Sequence, residues 1–168
     1  MPSPDSSSTR PTQPIEPAEP AEFAVTSREW HTASDEETAA VARALGETLS
    51  PGAVIHLVGD LGAGKTVFVR GLAAGLGIDP DEVSSPTFTL IQEYRQQGRH
   101  PLFHVDLYRL AGAEVDDLGL DALAAEGIVA IEWANRLPDA QPHAIVVRID
   151  DEGDDRRRIQ IDTPSSAT

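Results

Sequence analysis

The chain has no cysteine, a single lysine and no apolar run approaching bilayer length. Without cysteine there is no disulfide and no thiolate metal site. A spanning helix needs about 20 apolar residues, so no transmembrane segment is expected. The opening Met1-Pro2-Ser3-Pro4-Asp5 has neither a basic n-region nor an apolar h-region. No secretory signal is therefore expected, and the expected location is cytoplasmic. Positive charge is scarce as well: 13 Lys+Arg face 28 Asp+Glu, for a formal charge of −15. Residues 1–22 hold Asp5, Glu16, Glu19 and Glu22 against Arg10 alone, so the charge without them is still −12. Direct wrapping of nucleic acid needs a basic face that displaces phosphate counterions. A duplex or a tRNA is therefore not the expected direct ligand. A small phosphate ligand needs only local positive potential, and a basic protein partner suits the acidic surface.

What is present begins with organisation. At 168 residues there is room for one domain with a real core. Residues 1–21 are dominated by Pro, Ser, Thr and Glu, too polar to offset ordering entropy, and read as a disordered tail. Residues 163–168 read as a disordered C-terminus, which leaves 22–162 as the folded domain. Phe23 to Trp30 reads as an opening strand, and Ser34-Asp35-Glu36-Glu37 as a capping box that starts a helix with Ser34 as its N-cap. Thr87 to Tyr94 and Pro101 to Leu107 read as a hairpin; Asp116 to Ala125 as a helix broken near Gly119. Ile128-Val129-Ala130-Ile131 has the continuous apolar character of a buried central strand. Ala144 to Ile149 and Arg156 to Ile161 form a second hairpin around Asp150-Asp151-Glu152-Gly153-Asp154. The expected fold is a three-layer α/β domain with a mixed, mostly parallel sheet and hairpins.

The strongest single signal is Gly59-Asp60-Leu61-Gly62-Ala63-Gly64-Lys65-Thr66, which fits G-x-x-x-x-G-K-[ST] at every fixed position. The apolar run Val54-Ile55-His56-Leu57-Val58 precedes it, and a helical stretch from Val67 to Leu76, closed by Gly77, follows. Strand, loop and helix together form a phosphate cradle: glycines let successive N–H groups point at an anion, and the helix N-terminus adds its positive end. Lys65 would reach the β- and γ-phosphates and the Thr66 hydroxyl would bind Mg²⁺. Residues Gly59 through Val67 are the expected nucleotide-binding stretch of a P-loop NTPase-like domain, with a nucleoside triphosphate and Mg²⁺ as its ligands.

Phosphoryl transfer also needs a carboxylate at the end of a strand beside the loop. Asp106 ends Leu102-Phe103-His104-Val105-Asp106, and Glu132 ends Ile128-Val129-Ala130-Ile131-Glu132. Asp106 also suits a strand-end turn cap. A carboxylate after four apolar residues is costly to bury without a cation, which favours a metal role for Glu132. His104 reads as a packed strand histidine rather than a base. Trp133 fits a core position and a nucleotide-facing one equally. Ser85-Pro86-Thr87 occupies the place of a nucleotide-sensing switch, but is also an ordinary way for a loop to lead into a strand. Asp116-Asp117-Leu118-Gly119 matches a loose D-x-x-G, yet no N-K-x-D follows to read guanine.

The combination of the phosphate loop, Ser85-Pro86-Thr87-Phe88, His104-Val105-Asp106-Leu107-Tyr108-Arg109 and Ile131-Glu132-Trp133 resembles the TsaE (YjeE) family, from about Ser34 to Ile161. The resemblance implies a bacterial P-loop ATPase, with ATP and Mg²⁺ as cofactors, needed for threonylcarbamoyladenosine in tRNA, acting with TsaB and TsaD and on tRNA only indirectly. By resemblance, Thr66 and Glu132 are Mg²⁺ ligands and Asp106 serves in metal handling or hydrolysis, so that Asp106, Glu132 and Lys65 form the catalytic set. Ser85 and Thr87 belong to a mobile sensing segment, Ser34 approaches the nucleotide and Arg157 lies near the adenine. Nothing carries over to the acidic, Pro-rich head. The alternatives are a small-molecule P-loop kinase and a nucleotide-gated binding module without useful turnover. A kinase usually needs an Arg-rich lid, whereas here the arginine cluster Arg156 to Arg158 falls in a hairpin.

Overall fold

The computed structural model describes residues 24–86, 89–110, 113–138 and 141–165. The expected tail over residues 1–21 and the expected switch residue Thr87 lie outside the described residues. Strand β1 (Val25–Thr32) leads into helix α1 (Asp35–Gly46). Ser34 has an extended backbone at φ −156°, and its Oγ accepts the Glu37 N–H at 3.2 Å. The Glu37 carboxylate reaches back to the Ala33 N–H at 2.6 Å, one residue before the cap residue, so the box closes slightly wider than its usual form.

Strand β2 (Val54–Val58) runs through the phosphate loop into α2 (Lys65–Gly75), which gives way to Gly77 at φ 78°. Strands β3 (Ile91–Tyr94) and β4 (Leu102–Asp106) form the first hairpin. Helices α3 (Ala113–Asp116) and α4 (Leu120–Glu126) are separated by Gly119, whose φ of 66° breaks the helical path. Strand β5 (Ile128–Glu132) is buried at every residue. The second hairpin, β6 (Ile145–Gly153) with β7 (Arg156–Pro164), is longer than the sequence suggested. Its turn shrinks to Asp154-Asp155, with φ of 52° and 60°, a two-residue geometry whose twist matches the flanking strands. Asp150 stays in the ladder because Arg158, its register partner, bonds its carboxylate at 2.8 Å. At its far end β7 continues past residue 162 to pair Pro164 with Val25.

Among the described residues one seven-stranded sheet has the order β1-β7-β6-β2-β5-β4-β3. The central strands β6, β2, β5 and β4 are mutually parallel; β7 and β3 join them antiparallel, and β1 in turn pairs antiparallel with β7. Side chains alternate between the two faces of a strand. Ile55, Leu57, Leu102, Ile128, Ala130, Val147 and Ile149 share a core with Phe68, Val69 and Leu72 of α2 and Ala42 of α1. Phe103, Val105, Val129 and Ile131 form a second core with Val115 of α3 and, less buried, Leu123 of α4. Helices thus cover both faces, as three layers require. The same alternation carries His104 and Asp106 to the α2 face after Leu102, and Glu132 to that face after Ile128 and Ala130. Asp106 and Glu132 are register partners. No helix among the described residues is long and apolar enough to cross a membrane.

Candidate functional site

The phosphate loop leaves β2 under steric restriction. A Cβ on Gly59 would lie 2.5 Å from the Ile149 carbonyl of β6, so only glycine lets the strand turn away there. Gly64 has φ 108°, and a Cβ on it would meet the Arg157 Nε at 2.6 Å. The Ala63 N–H closes the loop on the Asp60 carbonyl at 3.0 Å. Helix α2 begins at Lys65, and the N–H groups of a first turn have no carbonyl partner inside their helix. They add to the positive end of the helix dipole, which makes this loop a ready anion cradle. Leu61 at its tip is 80% exposed. Val67, in the first turn of α2, is half-buried.

Lys65 is buried and turns its Nζ back on its own loop, donating to the carbonyls of Gly59 at 2.6 Å and Asp60 at 3.1 Å. Burial pulls its pKa down, against the opposing pull of Glu132, Asp106 and Asp60. The Trp133 ring covers it, 4.0 Å from Nζ to the centroid. Trp133 is half-buried and adopts φ 59°, and its ring is tilted against that of Tyr108 at 5.0 Å. Arg136 lies 5.6 Å from the Tyr108 centroid. Arg136 carries no signal of its own in the sequence, and Tyr108 is marked there only by its place in the His104–Arg109 run.

Both candidate carboxylates are buried, Glu132 at 4% and Asp106 at 8% exposure. The Thr66 hydroxyl donates to Glu132 Oε1 at 3.3 Å, and His104 Nε2 lies 2.8 Å from the same oxygen. Asp106 Oδ1 accepts the Tyr108 N–H at 2.9 Å, so its turn-capping role is present alongside its place in the site. Asp106 also lines a pocket of about 10 Å³ with Pro86, Leu90, Tyr108 and Arg109, near the lower limit for one water molecule. Among the described residues no three His, Asp or Glu side chains form a metal cage. Mg²⁺ does not require one, since it keeps several waters and takes one or two carboxylates plus substrate phosphates. A hydroxyl and two buried carboxylates beside an anion cradle fit that ion.

Arg157 crosses from β7 to the loop. Its guanidinium donates to Asp35 Oδ1 at 2.6 Å and Thr38 Oγ1 at 3.3 Å while flanking Gly64. Ser34, the residue before Asp35, stands on the same wall as the N-cap of α1. Asp35 and Thr38 were missed as parts of this wall, because in the sequence they read only as first-turn helix residues. Ser85 is exposed between a short 3-10 helix (Pro80–Glu82) and β3. The segment before it is anchored by Arg70, which donates to the Val83 carbonyl at 3.1 Å. The D-x-x-G run lies elsewhere. Asp116 and Gly119 line a cavity of about 540 Å³ with Val54, Leu137, Gln141 and His143, at the end of β2 opposite the phosphate loop.

A family model described as "Threonylcarbamoyl adenosine biosynthesis protein TsaE" matches residues 32–159. A Bacillus subtilis protein named tRNA threonylcarbamoyladenosine biosynthesis protein TsaE is 44% identical over 133 residues, covering 78% of this chain and 82% of that one. A protein of the same name from Nostoc sp. is 52% identical over 111 residues, covering 63% and 67%. The crystal structure of Bacillus subtilis YdiB superposes with a TM-score of 0.68 at 37% identity, covering 84% of this chain and 88% of that one. The matched span takes in the phosphate loop, both carboxylate-bearing strands and Arg157, and the chain belongs to the TsaE family.

Proposed function

We propose that this chain is the ATPase subunit of a machinery that makes threonylcarbamoyladenosine in tRNA, hydrolysing ATP with Mg²⁺ in complex with TsaB and TsaD. The observation that carries the reading is the Thr66 hydroxyl on the Glu132 carboxylate at 3.3 Å, one residue past the phosphate-loop lysine. That pairing is how a P-loop protein assembles the protein side of its metal site. The pathway follows from the names of the relatives, and the acidic surface favours a protein partner over tRNA itself.

In this reading the loop amides and the start of α2 bind the phosphate chain. Lys65 exchanges two neutral carbonyls for phosphate oxygens, a stronger, charge-assisted contact. Thr66 and Glu132 would hold Mg²⁺ with Asp106 beside them, and the ion when bound supplies charge neutralisation on the β- and γ-phosphate oxygens. Asp106, with one oxygen pinned by the Tyr108 N–H, offers the other to a water in the pocket that Pro86 also lines. The Ser85–Pro86 stretch then reports on the site through that wall.

The arginines that a kinase lid would use are engaged otherwise. Arg157 is held by Asp35 and Thr38, and Arg158 by Asp150, all on fixed secondary structure. This supports hydrolysis over transfer to a small acceptor. The test is ATP turnover of the purified chain with and without TsaB and TsaD. Slow turnover alone that rises with the pair is the expected result. ATP binding with no turnover in either condition would instead support the nucleotide-gated module.

A further inference from the structure

His104 is fully buried, and the phosphate loop, Thr66 and the two carboxylates account for phosphate and metal binding without it. Its Nε2 lies 2.8 Å from Glu132 Oε1, while its Nδ1 has no hydrogen-bond partner. Those two facts fix the tautomer. A bare Nε2 would set a lone pair against a carboxylate oxygen and strand an N–H at Nδ1, so the hydrogen sits on Nε2 and is donated to Glu132. In register His104 lies between Gln92 of β3 and Ala130 of β5, with Glu132 two residues further along β5. Ala130 carries only a methyl group, which leaves the imidazole room to lean across it to the carboxylate. A leucine would fill a buried strand position without stranding a ring nitrogen, so packing alone does not account for a histidine here.

We propose that His104 is a positioning residue for the metal-binding carboxylate: by donating from Nε2 to Oε1 it fixes the rotation of Glu132 and presents Oε2 to the divalent ion. This rests on the reading that Glu132 binds Mg²⁺. The Thr66 hydroxyl also falls on Oε1, so two protein donors occupy one oxygen and divide the carboxylate between a protein-facing and an ion-facing half. Groups that hold a metal-binding carboxylate in this way commonly alter metal affinity when removed, about 10–100-fold. His104 is the residue that sets the direction of Glu132 before nucleotide arrives.

The test is Mn²⁺ affinity of the full chain with saturating ADP, read by electron paramagnetic resonance, alongside ADP affinity without metal. The variants are H104L, H104Q, H104N and E132Q, each checked for folding by circular dichroism. Glutamine keeps an N–H donor near the place of Nε2; asparagine is too short to reach. The expected result is a loss of about tenfold or more in Mn²⁺ affinity for H104L and H104N, recovery to within about threefold for H104Q, and unchanged metal-free ADP affinity. Should H104L fail to fold, the contrast between H104N and H104Q decides. Wild-type Mn²⁺ affinity in H104N or in folded H104L, with E132Q weakened, overturns the role of His104 and leaves the metal site standing. Wild-type affinity in E132Q overturns the metal reading of Glu132 and the positioning role with it.

Discussion

The Lys65 ammonium lies 4.0 Å from the centroid of the Trp133 ring while donating to the Gly59 and Asp60 carbonyls. Every one of these direct partners is neutral, and the carboxylates of Glu132, Asp106 and Asp60 act on the buried charge through space rather than by contact. A phosphate bound in the cradle would meet a lysine whose Nζ is already turned onto the loop. Lys65→Ala is expected to weaken triphosphate binding more than tenfold, about 1.4 kcal/mol or more for a charge-assisted contact. No other lysine exists in the chain to substitute. Calorimetry checks this, and unchanged ATP affinity in a folded variant removes the phosphate-loop assignment.

Binding and turnover should separate at the carboxylates. Glu132→Ala and Asp106→Ala leave the loop and Lys65 intact, so both variants are expected to bind ATP in the absence of metal. Both are expected to lose Mg²⁺-dependent hydrolysis by about two orders of magnitude or more. The measurement is phosphate release at saturating Mg²⁺ with the partner pair present. Either variant turning over at the wild-type rate takes its residue out of the chemistry.

Gly64 gives a backbone test. At φ 108° a side chain is strained, and a Cβ would meet the Arg157 guanidinium as close as 2.6 Å. Gly64→Ala is expected to destabilise the fold by at least about 1 kcal/mol from the backbone conformation alone. Arg157→Ala in the same chain should relieve the clash and leave the backbone strain, so the double variant recovers only part of the loss in urea denaturation. Full recovery would mean that Arg157, not the dihedral, demands glycine here.

Much of the fold and of the phosphate loop is legible in the sequence itself. The phosphate loop announced itself because its chemistry is local: glycines, one lysine and one threonine within eight positions, between a strand and a helix. The hairpins were readable as strand-like runs joined by polar segments, and Ser34 from its box with Glu37. What stayed hidden depends on register between distant strands. That His104 meets Glu132 follows from the β4–β5 pairing, and the sequence alone favoured a packed histidine. Arg157 resting on Asp35, Thr38 and Gly64 requires the two ends of the chain to meet through β7. The hairpin turn was placed too early because a run of acids looks like a loop until Arg158 appears opposite Asp150.

His56 sets a pH dependence of stability. It lies on the face of β2 away from α2, with Nε2 2.7 Å from Gln141 Oε1. Burial lowers its pKa below 6.5, with the Gln141 hydrogen bond opposing as the smaller effect. Between the folded value and 6.5 the unfolded chain therefore binds more protons than the folded one. The contribution is full above 6.5 and is lost as pH falls through the folded value. His31 acts in the opposite sense. Its hydrogen bonds to Glu152 and Glu29 raise its pKa, so its contribution is present below 6.5 and fades as pH rises; being exposed, it counts for little. The fall in Tm from pH 7.5 to 5.5 is expected to be smaller in His56→Gln than in wild type. Equal slopes in the two proteins would clear His56 as the source.

The charge distribution argues against tRNA as a direct ligand. On the C-terminal hairpin Arg148, Arg157 and Arg158 engage Asp162, Asp35 and Asp150, so these arginines form no open basic face. With a formal charge of −15, long-range potential repels a polyanion, while the loop amides and Lys65 supply positive potential locally for a small phosphate ligand. Purified chain is therefore expected to bind tRNA no more tightly than about 1 μM near 150 mM salt, the range of non-specific contacts, and more weakly as salt rises. The TsaB–TsaD pair should bring the same chain to tRNA without changing that intrinsic affinity, so retention of tRNA on the chain should depend on the pair. Filter binding across a salt series, with and without the pair, reads both effects. Nanomolar binding by the chain alone at 150 mM salt would show a nucleic-acid surface of its own and undo the division of labour proposed here.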